Sequence, residues 1–140
     1  MKTGKVMGLD WGSKRIGVAI SDPGRSIATS SFTYNRKNSE EDLSYLRRLV
    51  RDKGITLIVV GMPITMAGEE GEVAEQVREF IGRLTEEVDV PVDVIDERLT
   101  SAEAERVLLS SDVSRKKRKE HRDKLAATLI LQRYLDRENS

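Results

Sequence analysis

Residues 5–21 read KVMGLDW, GSK, RIGVAIS: two seven-residue runs rich in apolar side chains, parted by three residues. A link that short lets both runs be strands only as an antiparallel hairpin, because a parallel return needs a crossover of about a dozen residues or more. In the second run Ile16, Val18 and Ile20 alternate with Arg15, Gly17, Ala19 and Ser21, the period of a strand. The first run is less ordinary. It ends on a carboxylate, Asp10, where an apolar residue would serve stability better. A turn signal, Asp22-Pro23-Gly24, precedes a third β-branched and aromatic run, Ile27 to Tyr34.

The pattern then changes period. Leu43, Leu46, Leu49 and Val50 fall at helical spacing, which predicts a helix over 39–53 stopped by Gly54. TLIVVG, residues 56–61, is a short and wholly apolar strand of the kind buried on both faces. Val73, Val77, Phe80, Ile81 and Leu84 predict a helix over 72–88, and VPVDVID at 90–96 predicts a further strand. Thr100-Ser-Ala-Glu103 has the form of a capping box and predicts a short helix to about Ser110. A last helix is expected from about Glu120 to Arg137. Three hairpin-linked strands followed by α/β crossovers make a single α/β domain over 1–140. Its mixed five-stranded sheet has the first strand near its centre and helices on both faces.

Composition narrows the setting. Lys plus Arg and Asp plus Glu each number 24, so no bulk attraction would coat nucleic acid with this chain. The charge is local instead, and SRKKRKEHRDK at 114–124 concentrates it. Read alone, that run is a solvated face or loop. Without cysteine, disulfides and thiolate metal sites are excluded. No apolar run of about 18 residues exists, and the first ten residues lack a signal peptide's apolar segment, so a reducing, cytoplasmic setting is expected.

Three carboxylates stand where solvated surface charge would not. Asp10 closes the first strand, at the end from which binding loops usually emerge in such sheets. The strand VDVID ends at Asp96 with Glu97 next, and a one-residue change of register decides which of the two faces inward. Asp123 lies four residues before Ala127 and shares the face of Ile130, Leu131 and Tyr134, which suits packing on the sheet. Singly, each has a bland role in a turn, an ion pair or a helix start. Together they can converge on one end of the sheet, where clustered acids repel unless cations sit between them. Three carboxylates without histidine or cysteine form a hard oxygen site, suited to Mg2+ or Mn2+. Two such ions about 3.5–4 Å apart serve phosphodiester hydrolysis. Lys14 and Arg15 follow Asp10, Arg98 follows Glu97, and Arg115, Lys116, Lys117 and Arg118 precede Asp123, all suited to holding phosphates. His121, the single histidine, reads as a surface or phosphate-contact residue, and Trp11 as core or as a surface for stacking a base.

GLDWGSKRIGVAISD, IVVGMPITMAGEEG, DERLTSAEAE and DKLAATLILQRYL together resemble the YqgF family, also called RuvX or Holliday junction resolvase-like proteins. The likeness spans essentially the whole chain in the family's order. It implies a ribonuclease H-like fold and metal-dependent phosphodiester hydrolysis in the cytoplasm, with maturation of the 5′ end of pre-16S rRNA as the associated task. It also implies that Asp10, Glu97 and Asp123 are the metal-holding catalytic acids, and Gly61 and Gly68 would permit tight turns or close backbone approach. The first expectation is thus an rRNA-processing nuclease, acting on RNA or on ribosomal particles as monomer or homodimer. The second is a junction resolvase, which needs a symmetric dimer to cut two strands. DWGSKR also looks like the phosphate loop of actin-like and sugar-kinase ATPases, which close two such domains around a nucleotide where this chain supplies one. A non-catalytic RNA-binding module completes the set.

Overall fold

The computed structural model describes residues 3–63, 71–97 and 115–139, and within 115–123 the backbone alone. Strands β1 (Lys5–Trp11), β2 (Arg15–Ser21) and β3 (Ala28–Asn35) are followed by helix α1 (Ser39–Lys53) and strand β4 (Ile55–Met62). Helix α2 (Glu72–Glu87), strand β5 (Val92–Asp96) and helix α3 (Arg115–Glu138) complete the described elements. The sheet order is β3-β2-β1-β4-β5, with β1–β2 and β2–β3 antiparallel and β1–β4 and β4–β5 parallel. The hairpin and the central β1 are as expected, and so are the bounds of α1. The short helix expected over 100–110 lies outside the described residues.

Alternation along the strands divides the core into two layers. Met7, Leu9, Ile16, Val18, Ile58 and Val60 pack under Leu46, Leu49, Val77, Phe80 and Leu84 of α1 and α2. Val6, Ala19, Leu57, Val59 and Ile95 pack under Ala127, Ile130, Leu131 and Tyr134 of α3. Gly8 lets α3 lie close, since a Cβ there would stand 2.8 Å from Leu131 Cβ. Two expectations need correction. Val73 is exposed rather than part of the α2 stripe, whose buried residues are Ala74, Val77, Phe80 and Leu84. The last helix starts at Arg115, five residues earlier than expected, because Lys and Arg are good helix formers and no Gly or Pro interrupts the basic run.

Each end of α1 is capped by the residue its backbone needs. Asn38 Oδ1 accepts from the Glu41 N–H at 2.9 Å, and Gly54 takes the left-handed conformation (φ 66°) that ends the helix. In its first turn sits an unexpected core residue, Asp42, only 2% exposed. Its carboxylate accepts from Tyr34 Oη at 2.8 Å, Arg36 Nε at 2.9 Å and the Lys37 N–H at 2.9 Å. Arg36 in turn donates to the carbonyls of Gly12 (3.3 Å) and Ser13 (3.2 Å), tying α1 to the β1–β2 turn.

Burial alone would raise the Asp42 pKa, but the donors from Lys37, Arg36 and Tyr34 outweigh it and hold the carboxyl below its ordinary 3.8. A lowered folded-state pKa gives stability that is present above the unfolded value and lost as pH falls through the folded one. Asp42→Asn should therefore flatten the stability profile below about pH 4 while costing about 1.5–3 kcal/mol at neutral pH. Urea denaturation of both proteins between pH 2.5 and 7 measures this, and parallel profiles would refute it.

Candidate active site

Strand alternation decides which acids meet. Val6 packs beneath α3, so Gly8 and Asp10 share that face, while Met7, Leu9 and Trp11 turn toward α1 and α2. In β5, Ile95 packs beneath α3, and Glu97 two residues on keeps the same sense. The Glu97 N–H donates to the Met62 carbonyl at 3.1 Å, extending the parallel pairing past the end of β5. Asp96 falls on the alternate register, and its carbonyl accepts from Arg133 Nη1 at 3.0 Å. Glu97, rather than Asp96, is the acid that meets Asp10.

The two are not on neighbouring strands, for β4 runs between them. The β4 residue on this face is Gly61. A Cβ there would lie 3.0 Å from Glu97 Oε2 and 2.5 Å from Ile130 Cδ1. The Glu97 carboxyl occupies the space a side chain at 61 would fill, and hydrogen-bonds with Asp10. On its other side Asp10 pairs with Gly17 of β2, which adds no side chain either. Gly61 is thus a clearance position inside a strand, where a tight turn or a close backbone approach was expected.

Glu97 is 8% exposed, and its Oε2 has no hydrogen-bond partner among the described residues. Burial first, then the charge and hydrogen bond of Asp10, then the charge of Asp96, push its carboxyl from 4.5 up to about 9. At neutral pH the pair therefore holds a proton between two acids that would otherwise repel. An orphaned buried oxygen beside a second carboxylate suits a hard divalent cation, whose charge would offset the repulsion and whose coordination would satisfy Oε2.

Of the other residues singled out in the sequence, Lys14 is exposed in the β1–β2 turn and Arg15 is half-buried at the start of β2. Asp123 lies on α3 seven residues before Ile130, whose methyl group reaches Gly61. Seven residues are close to two full turns, so position 123 repeats the azimuth of Ile130. Its side chain, with those of Arg115, Lys116, Lys117, Arg118 and His121, lies outside the described residues, as do Arg98 and Gly68 entirely. Among the described residues no three His, Cys, Asp or Glu side chains cluster as metal ligands. No helix among them is long and apolar enough to cross a membrane.

A mixed five-stranded sheet in this order, with acids meeting at the carboxyl ends of β1 and β5 beneath one long helix, is a ribonuclease H-like architecture. The fowlpox virus resolvase, solved with Holliday junction DNA, shares the fold at a TM-score of 0.63, with 13% identity over 97% of this chain and 99% of that one. The chain belongs to the RuvX family, a family of hydrolytic nucleases, whose model, described as Holliday junction resolvase, matches residues 4–137. A Halothermothrix orenii protein is 50% identical over 96% of each chain, and a Natranaerobius thermophilus protein is 46% identical over 96% of this chain and 95% of its own. Both carry the provisional name of pre-16S rRNA nuclease.

Gly61→Ala tests the clearance directly. The added methyl must displace Ile130 or Glu97, costing about 1–3 kcal/mol. Urea denaturation should register that loss; an unchanged midpoint would mean that the space over β4 is not needed.

Proposed function

We propose that the chain is a divalent-metal-dependent nuclease that hydrolyses phosphodiester bonds in the maturation of the 5′ end of pre-16S rRNA. The observation that carries the reading is the buried Asp10–Glu97 pair with its unpartnered Oε2. Asp10 and Glu97 would hold Mg2+ or Mn2+, and Asp123 on α3 would complete the acid set. When bound, the metal supplies positive charge that polarises water and the phosphoryl group and offsets charge on the leaving oxygen. Lys14 and Arg15 beside Asp10, Arg98 after Glu97, and Arg115, Lys116, Lys117 and Arg118 on α3 would bind and orient the phosphates. Glu97 is nearly inaccessible to solvent, so a bound cation rather than water would stabilise its ionised form. The rRNA assignment draws on the names of relatives about half identical over nearly the whole chain.

A second reading is junction resolution by a symmetric dimer, favoured by the description of the matching family model. Incubation of labelled single-stranded RNA carrying the 16S 5′ leader, and of a DNA four-way junction, with manganese or EDTA separates the two. Manganese-dependent cutting of the RNA, lost to background in Asp10→Asn, is the expected result. Symmetric cutting of the junction alone would move the assignment to resolution. With neither substrate cut and no divalent ion bound in calorimetry, the two-acid centre is not a metal site.

A further inference from the structure

The far side of the sheet from Glu97 holds a second feature. A cavity of about 280 Å³ opens between α1, α2 and the carboxyl end of β1. Trp11, Phe80 and Leu43 form its apolar floor, and Gln76 and Arg83 of α2 stand on its rim. Arg36 makes one wall, its guanidinium 4.8 Å from the centroid of the Trp11 ring. Trp11 and Phe80 are tilted by 37° with centroids 6.2 Å apart, so they do not cover each other as a stacked pair would. Trp11 remains half-buried and lines the cavity.

Three observations set this apart from a packing gap. Trp11 follows Asp10 directly, and consecutive strand side chains point to opposite faces, so the cavity and the acid pair flank the same end of β1. A strand of nucleic acid that crosses that end, with a phosphate held by metal at Asp10, would carry a neighbouring nucleotide past the cavity mouth. The wall is preset: Asp42, Gly12 and Ser13 hold Arg36 over the indole through the bonds already described. The rim is of mixed character, with the Gln76 amide offering a donor and an acceptor and Arg83 held 3.7 Å from Glu79. An aromatic floor under a rim of donors and acceptors is the chemistry that takes an unstacked base.

We propose that the cavity lined by Trp11, Phe80, Leu43, Arg36, Gln76 and Arg83 receives one unpaired nucleobase of the substrate strand, next to the phosphate held at Asp10. The proposal deepens the nuclease reading and rests on it for the path of the strand. A base docked on Trp11 fixes the register of the phosphodiester and selects unpaired over duplex substrate at that nucleotide.

Trp11 is the only tryptophan in the chain, so its fluorescence reports on the cavity without any requirement for catalysis. The full chain with Ca2+ in place of Mn2+ is titrated with a single-stranded RNA pentamer, with a pentamer lacking all its bases, and with ribose 5-phosphate. The expected result is a saturable change of emission with the RNA pentamer, binding about tenfold weaker without bases, and no change with ribose 5-phosphate. Gln76→Ala and Arg83→Gln, both on the exposed rim, should each weaken pentamer binding by about fivefold. Equal affinity for the base-free pentamer overturns the proposal, as do unaltered binding in both rim variants or emission that does not change at all. Cleavage with manganese is scored separately. Base-dependent emission without cleavage keeps the base site and removes the nuclease reading, whereas cleavage without base-dependent emission does the reverse.

Discussion

The forced approach of two carboxyls, Asp10 and Glu97, is the constraint around which the carboxyl end of the sheet is arranged. Neighbouring strands lie about 4.8 Å apart, so β1 and β5, with β4 between them, are separated by about twice that. Aspartate is too short to cross such a gap. A glutamate can, provided that nothing stands on the intervening strand, and Gly61 meets that condition. The arrangement also explains the unequal lengths of the two acids: the short one sits on the central strand, the long one on the edge strand. Burial beneath Ile130 then makes the pair electrostatically expensive, a cost a sheet would avoid unless a cation were to come.

The sheet works as a partition with a different polar device on each side. Beneath α3 two acids meet, and Oε2 of Glu97 finds no donor among the described residues. Beneath α1 and α2 a single acid, Asp42, meets three donors and passes their order to Arg36, the β1–β2 turn and the indole of Trp11. The contrast is instructive, since both acids are nearly inaccessible to solvent. Asp42 is satisfied and stabilises the fold, whereas Glu97 keeps one oxygen without a partner among the described residues.

Much of this was legible in the residues. The three-residue link at 12–14 dictates the hairpin, and the change from period two to helical spacing dictates the crossovers that put β1 in the middle. Asp10, and Asp96 with Glu97, stand out as acids at strand ends. What stayed hidden depended on neighbours distant in the chain. Asp42 sits four residues before Leu46 and seven before Leu49, on the apolar face of α1, yet within Glu40-Glu41-Asp42 it passes for a solvated first turn. Gly61 leaves turn and close approach both open because what it makes room for, Glu97, lies 36 positions downstream. The choice between Asp96 and Glu97 needed the pairing of β5 with β4 and the packing of Ile95. The basic run ahead of Glu120 does not read as helix because charge density masks helix propensity.

Helix α3 reaches both edges of the sheet. Gln132 accepts from the Ala28 N–H beside β3, Arg133 donates to the Asp96 carbonyl at the end of β5, and Asn139 donates to the Arg25 carbonyl. One entire face of the sheet, with Val6, Ala19, Leu57 and Val59, has no other cover among the described elements. During synthesis those residues emerge long before the segment 115–138 that shields them. The nascent chain therefore carries an open apolar sheet face and no enclosed acid pair until that segment has left the ribosome. Order of manufacture therefore matters: a product truncated before residue 115 would lack the helix that covers this apolar face.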